Sequence, residues 1–582
     1  MYERRYDLLS SKFKEFFLPT LLMSMAMNTS TFIDSLIVSF TIGSINLSAI
    51  QVVTPIITFI NLLYWMIGLG GSLIASISKA DHDNETASKY FTISLALLLI
   101  LGVLFTLILV VFFDSIVIAL CPDVSIRTYV SRFLGAYMLG IPFMFVIMGI
   151  AYFIRADGKP NLSFFALLIA NVVNLIMDFV YILGFGMDIQ GAALATVTGY
   201  IIGTIFIMQY FFDKERTFKL VSLFKIKIKE IFTYIWDIVS NGFPSSSLQL
   251  FMTLKLLVLN LVISTVAGAQ GLIAFSLCYS SLYIVYIFIN GTAQSMSPIV
   301  SVYYQEKDYN GTRYVMKKAF KVILVSSLTL AILFIIFPIL VLKLFSINPN
   351  SYGICSSAVK IFALSYVGTA LTSLMMFYTQ AIQKKLFSFI ISITEGLIVP
   401  VISVVVLSKF FGINGVWISF LIAELVTLII IFGICKYLSI KSDYKFKGFL
   451  MLPHENNGKI MEYTVNNSIK DIMNLSNEVI TFCKNNDINK KQSMLMGVSI
   501  EEMITNIFKY NTSLKYVDVI LKINEDSLVL SIKDQGKEFN PTIPLSDDEY
   551  NFDNISVLQK IADDIKYSRV IGLNSTVIII NY

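Results

Sequence analysis

Hydrophobic residues arrive along this chain in long blocks, with little of the alternation or short amphipathic striping of a soluble domain. A membrane-spanning helix needs about 20 mostly apolar residues. Twelve blocks meet that length, near residues 16–42, 48–77, 90–119, 127–153, 161–184, 191–212, 234–265, 271–300, 317–344, 353–381, 386–408 and 413–438. Several are longer than a bilayer is thick, which implies tilt or extension beyond it. From about residue 440 the texture changes. IKSDYKFKGFLMLPHENNG is polar, holds Pro453 and Gly458, and reads as a linker. After residue 459 no run is long enough to span. KIMEYTV, VDVILKIN, SLVLSIKD and STVIIINY read there as strands. SIKDIMNLSNEVITFCKNN, NKKQSMLMGVSIEEMITNIFKYN and ISVLQKIADDIKY read as helices, giving an α+β domain large enough for its own core.

The twelve helices divide into six plus six. GMDIQGAALATVTGYIIG (186–203) resembles FGINGVWISFLIAELVT (411–427), and the polar loop SKADHDNETASKYF (78–91) matches YYQEKDYNGTRYVM (303–316) at nearly the same offset. Two loops at one offset point to a duplication, and even halves make the repeat parallel. The predicted organisation is an N-terminal segment 1–15, a first lobe 16–212, a connection 213–233, a second lobe 234–438, a linker 439–458 and a C-terminal α+β sandwich 459–582. The connection DKERTFKLVSLFKIKIKEIF is basic and amphipathic and is expected to lie on the membrane surface.

Composition supports this picture. The 582 residues are 56% hydrophobic and only 14% charged, with mean hydropathy +0.74, against about 25% charged in soluble domains. Charge then sets orientation, because Lys and Arg concentrate in cytoplasmic loops. Arg4, Arg5, Lys12, Lys14, Arg155, Lys159, Lys214, Arg216, Lys307, Arg313, Lys384 and Lys385 all fall on one side. The opposite loops hold little beyond Lys409, with Arg127 and Lys343 at helix ends. Both termini are expected in the cytoplasm and the protein in the cytoplasmic membrane. The basic residues are accounted for by orientation, and no nucleic-acid motif is present. Residues 456–582 carry a net charge of −4 and the remainder +9. The N-terminus, MYERRYDLLSSKFKEFF, runs straight into the first apolar block, which is too long for a signal-peptide core. Cys121, Cys278, Cys355, Cys435 and Cys483 are scattered singly, so neither a disulfide framework nor a metal site is expected. His82 and His454 lie in polar loops and read as surface residues.

The candidate chemistry is a small set of polar residues inside apolar blocks. Asn174 and Asp178, in ANVVNLIMDFVYILGFG, lie four residues apart and so share a helix face. Asp34 is the lone carboxylate of the first block. Glu395 and Glu424 are embedded in the second half, with Lys255 and Lys360 as basic counterparts. An ionisable group in a bilayer is tolerated mainly where it faces a bundle interior or a wet cavity. A buried carboxyl can load and release a proton, and with Asn174 it can offer hard oxygens to sodium; the sequence leaves both ions open.

These residues carry a resemblance. The Asp34 context, FIRADGKP (153–160), NLIMD (174–178), GFGMDIQGAALATV (184–197) and SPIVSVYYQEKD (297–308) resemble the MATE (multidrug and toxic compound extrusion) family across residues 13–438. The resemblance implies two lobes around a central cavity, alternating access, and export of bulky, often cationic compounds against H⁺ or Na⁺, with Asp34, Asn174 and Asp178 as the coupling set. Another branch of that family relies on a seventh-helix carboxylate. Here FPSSSLQLFMTLKLL offers Gln249 and Lys255 instead. The related lipid-linked precursor flippases share the architecture.

Residues 459–582 resemble the GHKL ATPase/kinase fold, nearest the anti-sigma-factor serine kinases. The resemblance gives Glu502 the catalytic position, Asn506 a Mg²⁺ ligand, and Asp534 with Gly536 the adenine-reading loop. It implies ATP and Mg²⁺ as ligands and a protein partner akin to an anti-sigma antagonist. The glycine-rich lid of that fold is replaced by NFDNISVLQKIADDIKY, with Phe552 and Asn554, and backbone amides of such a lid normally cradle phosphate. Three functions therefore stand: an ion-coupled exporter with a regulatory tail, a membrane-anchored signalling kinase with a transporter-like sensor, and a flippase.

Overall fold

The computed structural model describes residues 4–80, 83–157, 159–213, 216–223, 227–442, 446–453, 459–537, 539–542, 558–570 and 573–581. His82, His454 and the lid residues Phe552 and Asn554 lie outside the described residues.

Residues up to 441 form a helical bundle. Its first half contains α1 (Asp7–Ile42), α2 (Ser44–Ala80), α3 (Asn84–Val111), α4 (Phe113–Leu120), α5 (Val124–Tyr137), α6 (Ile141–Ala156), α7 (Pro160–Asp178), α8 (Ile189–Ile207) and α9 (Gln209–Phe212). The second contains α10 (Ile228–Gln305), α11 (Tyr309–Ile336), α12 (Pro338–Leu344), α13 (Tyr352–Ala363), α14 (Ser365–Ala381), α15 (Lys385–Ile393) and α16 (Val399–Lys441). Among the described residues nine helices are long and apolar enough to cross a membrane, so the chain is a multi-pass membrane protein. Two of the nine, Gln249–Gln305 and Leu386–Lys441, are each a pair of helices. At about 1.5 Å per residue either is well over twice the bilayer thickness, and each breaks at a glycine with positive φ, Gly268 (56°) and Gly412 (57°). Both glycines fall in the short loops AGAQ and KFFGING, where a left-handed residue turns the chain without a Cβ clash.

The halves repeat in detail. Asp83 accepts from Thr86 N at 3.0 Å to cap α3, and Asp308 accepts from Gly311 N at 2.8 Å to cap α11. Each satisfies an orphan donor of the first turn. The long helices that follow both break at a phenylalanine, Phe112 and Phe337, before the short α4 and α12. A π-helical segment follows Asp178 (Phe179–Gly184), and a second one (Thr394–Ile398) holds Glu395.

The expected linker is partly built into the bundle. β1 (Phe446–Lys447) and β2 (Leu452–Pro453) form a hairpin, Tyr378 donates to Leu450 O at 2.7 Å, and Phe449 packs on Phe320 and Phe432. The buried apolar Met451 anchors it. The connection between the halves is tied down as well: Lys219 N and Val221 N donate to Ser88 and Thr92 of α3, and Phe218 is fully buried.

The C-terminal domain is a five-stranded antiparallel sheet of β3 (Ile460–Asn466), β4 (Tyr516–Ile523), β5 (Ser527–Asp534), β6 (Asp564–Val570) and β7 (Leu573–Asn581), ordered β3-β4-β5-β7-β6. Helices α17 (Ile469–Asn485) and α18 (Lys490–Tyr510) cover one face, with Val465, Val519, Leu530 and Ile578 against Leu475, Val479, Met496 and Ile500. One sequence expectation is corrected. The helix expected over ISVLQKIADDIKY has only residues 558–561 as its described helical part, and DIKYSRV is strand β6. The isolated segment has a helical pattern, but β7 offers an unpaired edge, and pairing Ile565 with Ile578 and Tyr567 with Thr576 satisfies both backbones.

Candidate functional site

Three helices bring the sequence-predicted residues of the first half together. α1 supplies Asp34, α7 supplies Asn174 and Asp178, and α8 packs behind α7. Gly199 permits that approach: a Cβ there would lie 2.5 Å from Ala170 O and 3.2 Å from the Asn174 Cβ. With its amide oriented to satisfy both ends, Asn174 Nδ2 donates to Asp34 Oδ2 at 3.0 Å, while its Oδ1 accepts from Thr196 N at 3.2 Å and Thr196 Oγ1 at 3.3 Å. The Asp34 and Asp178 carboxyls are in hydrogen-bonding contact. Two carboxyl oxygens that close need a proton or a cation between them. Asp178 is 1% exposed and its Oδ1 has no partner, so one hard oxygen remains free.

The group opens on a cavity of about 260 Å³, walled by α1, α2, α5, α7, α8 and α10. Gln51, Thr54, Tyr137, Tyr200, Tyr279 and Tyr283 line it beside the carboxylates. Sequence reading missed these. The tyrosines are four of 29 in the chain, and nothing in their local pattern separates a cavity-facing ring from a packed one. The π-helix directly after Asp178 widens the turn there, a distortion frequent at functional sites.

The second half holds its own polar cluster, on different helices. Glu424 of α16 is buried and receives Thr369 Oγ1 and Thr372 Oγ1 of α14, each at 2.8 Å. Glu395 faces Glu424, Lys255 and Thr372. Lys360 does not join it, being exposed on α13. Tyr283 and Tyr286, one turn apart on α10, face Asp34 and the Glu395–Glu424 pair respectively, so a single helix face looks onto both clusters. Gln249 leaves Oε1 unpartnered.

The MatE family model matches this chain twice, over residues 19–180 and 244–405, together more than half of its length. The chain belongs to the MATE family. The second match begins 225 residues after the first, the spacing that separates the capping residues Asp83 and Asp308. The chain is similar to the multidrug export protein MepA of Staphylococcus haemolyticus, 27% identical over 429 residues that cover 72% of this chain and 92% of the relative. It is also similar to MepA of Staphylococcus saprophyticus, at 25% over 65% and 82%. Among solved structures, an inward-facing multidrug resistance MATE transporter of the MOP superfamily superposes with TM-score 0.65 at 21% identity, covering 73% of this chain and 98% of that one. A MOP superfamily transporter from Pyrococcus furiosus, described as having a binding pocket of reversed polarity, gives 0.58 at 22%, over 74% and 97%. These likenesses establish the fold of the bundle. Neither stretch matched by the family model reaches the C-terminal domain.

That domain holds its own sequence-predicted residues as follows. Glu502 and Asn506 are one turn apart on α18, with Glu502 Oε2 and Asn506 Nδ2 buried and unpartnered. Asp534 ends β5, against which α18 packs. Its Oδ1 accepts from Gly536 N at 2.7 Å and Asn574 Nδ2 at 2.9 Å. Burial pushes the Asp534 carboxyl above its ordinary value, opposed by those two donors and by Arg569. Gly536 is pressed against Asn511, where a Cβ would lie 2.7 Å from the side chain.

Proposed function

We propose that this MATE protein exports bulky organic compounds, often cationic, across the cytoplasmic membrane by alternating access, in exchange for H⁺ or Na⁺ held by Asp34, Asn174 and Asp178. The observation that carries this reading is the contact of two membrane-embedded carboxyls, one bearing a free oxygen, at the wall of a cavity. The MepA relatives, named as multidrug export proteins, support the cargo class. In this reading the bundle is twelve spans in two six-helix lobes with both termini in the cytoplasm, since the kinks at Gly268 and Gly412 divide two of the long helices and α1 supplies the remaining span. Loading the cavity neutralises buried charge, and the conformations that face the two sides differ in how well they tolerate that charge. The residues at the site present hard oxygens suited to a proton or a sodium ion. Glu395, Glu424 and Lys255 form a secondary ionisable cluster in the second lobe.

The decisive experiment is cationic-dye export in energised vesicles, comparing wild type with Asp34→Asn and Asp178→Asn under separate H⁺ and Na⁺ gradients. Export by wild type and its loss in both variants is expected, and the active gradient names the ion. Wild type that moves nothing under either gradient would overturn the reading.

We further infer that the C-terminal domain regulates the exporter. The ligand that its GHKL-like pattern implies is ATP with Mg²⁺, Glu502 and Asn506 lying on the metal side and Asp534 on the base side. The unpartnered, buried Glu502 and Asn506 atoms support this. Titration of the full chain with a fluorescent ATP analogue, with and without Mg²⁺, tests it. Binding that Asp534→Asn removes is expected, and no binding by the wild type sinks the idea.

A further inference from the structure

The C-terminal sheet has one face covered by α17 and α18. Its other face is not left to solvent. Asp518 on β4 and Lys533 on β5 are cross-strand partners on that open face, and both are buried, at 0% and 3% exposure. What buries them is the bundle. Arg4, just ahead of α1, makes a bidentate contact to Asp308 (2.9 Å twice) and reaches Asp518 at 3.2 Å through Nε. Lys533 lies 3.3 Å from Asp308 and 2.5 Å from Glu306, with its ammonium over the Tyr303 ring at 3.7 Å. Arg4, Asp308, Asp518 and Lys533 therefore form a buried quartet of two cations and two anions. It is drawn from three places: the start of α1, the loop between α10 and α11, and the C-terminal sheet.

The place where this quartet sits matters because of what α1 does. The early part of α1 packs on the second half of the bundle: the Tyr6 ring just before it stacks on Tyr314 at 4.6 Å, and Thr20 donates to Gly291 O at 3.0 Å. Its later part carries Asp34 to α7 of the first half. One helix thus spans both halves, with Pro19 between Tyr6 and Asp34 interrupting its backbone ladder. Any rocking of one half against the other must shift one end of α1 against its partner. The quartet fixes the end away from Asp34. Pulling Arg4 out would strand buried Asp308 and Asp518, which is strongly unfavourable.

We propose that the open face of the C-terminal sheet is an inhibitory clamp: docked, it pins the start of α1 to the loop between α10 and α11, and released, it lets the two halves move and transport speed up. This rests on the exporter reading for its rate but not for its geometry. The occupant of the face is a segment of the same chain. Complementary charge on both sides and the buried contacts among Arg4, Asp308, Asp518 and Lys533 carry the assignment.

Spin labels test it on the full chain in lipid. All five native cysteines are buried, so labels go to introduced ones. The exposed pair Asn477→Cys and Lys317→Cys reports docking, and Glu85→Cys with Lys317→Cys reports the separation of the halves. In the wild type a single short docking distance is expected. Lys533→Gln and Arg4→Gln should lengthen and broaden it, widen the Glu85–Lys317 distribution, and raise dye export by about threefold or more. Lys533→Arg, which keeps the charge, should behave as wild type. Unreactive Cys483, buried in the C-terminal domain, confirms that the variants remain folded. If either variant unfolds the domain, Lys522→Ala, which removes the exposed bond to Lys307 O and the ammonium over the Tyr309 ring, takes its place with a smaller shift in the same direction. Docking unchanged in every variant, or docking lost with export and half-to-half distance unchanged, overturns the proposal. An inactive wild type whose half-to-half distance still responds to Lys533→Gln overturns the exporter reading alone.

Discussion

At the residue scale, the site depends on hydrogen bonds that leave little slack. Asn174 is the only described side chain that bonds Asp34 on one side and α8 on the other. Replacing it by Ala removes a donor from a buried carboxylate, a loss of about 1–3 kcal/mol. Because the carboxylate is the reacting group, the loss should appear in transport. We expect Asn174→Ala to fold and to lower dye export by about tenfold or more, and near wild-type export by the variant would remove Asn174 from the coupling set. Glu424 poses the same question differently. Its two oxygens each take one threonine hydroxyl, so Thr369→Val or Thr372→Val should each lower stability by about 1–2 kcal/mol, read as a lower melting temperature in detergent. The pairing of Asn174 with Asp178 was legible in their four-residue spacing. That Asp34 meets them was not, since 140 residues separate Asp34 from Asn174 and only the fold, or a family resemblance, closes that distance. Thr196, Tyr200 and Tyr283 were illegible for the same reason.

At the scale of elements, hydropathy blocks carried far because a bilayer enforces them: every backbone polar group in lipid must be satisfied inside its own helix. The two glycines with positive φ inside long helical stretches fall in loops already marked by AGAQ and KFFGING. The C-terminal domain was harder. Its central strands, apolar on one side, read correctly, but β6 did not, because edge pairing rather than local pattern decides DIKYSRV. The polar stretch after α16 concealed a hairpin held by Phe449 and Met451, two apolar residues within a segment otherwise typical of a linker. Close helix contact yields a further test. Gly199 lets α7 lie against α8, and a Cβ at 2.5 Å from Ala170 O cannot be absorbed by a rotamer change. Gly199→Ala should push the helices apart, cost about 1–3 kcal/mol as overpacking, and displace Asn174 from Asp34. A lowered melting temperature together with reduced export is expected. A stable variant with full export would mean that the α7–α8 contact tolerates the shift without moving the site.

At the scale of the whole molecule, duplication and fusion meet in one loop. The segment YYQEKDYNGTRYVM has a counterpart in the first half, and both supply a capping aspartate. Only the second copy faces the C-terminal sheet, so Asp308 caps α11 and also anchors the clamp. Its environment fixes how docking responds to acid. Arg4, Lys533 and the Gly311 amide overcome burial and hold the Asp308 carboxyl well below the ordinary aspartate value of 3.8. A depressed carboxyl contributes docking energy that is complete above its ordinary value and vanishes as pH falls through its lowered one. Asp518 behaves oppositely: burial outweighs Arg4 and Thr464 and raises it, so its ionised form weighs against docking and its protonation relieves that. Among the described residues, Glu462, 3.5 Å from Arg4, and Glu306 beside Lys533 are further acids at this interface. Acidifying from neutrality should therefore leave the docking distance unchanged or tighten it, with release only once Asp308 itself is protonated, below the ordinary carboxylate range. Release already at mildly acidic pH would show that docking depends on a carboxylate other than Asp308, and would overturn the assignment of Asp308 as the anchor.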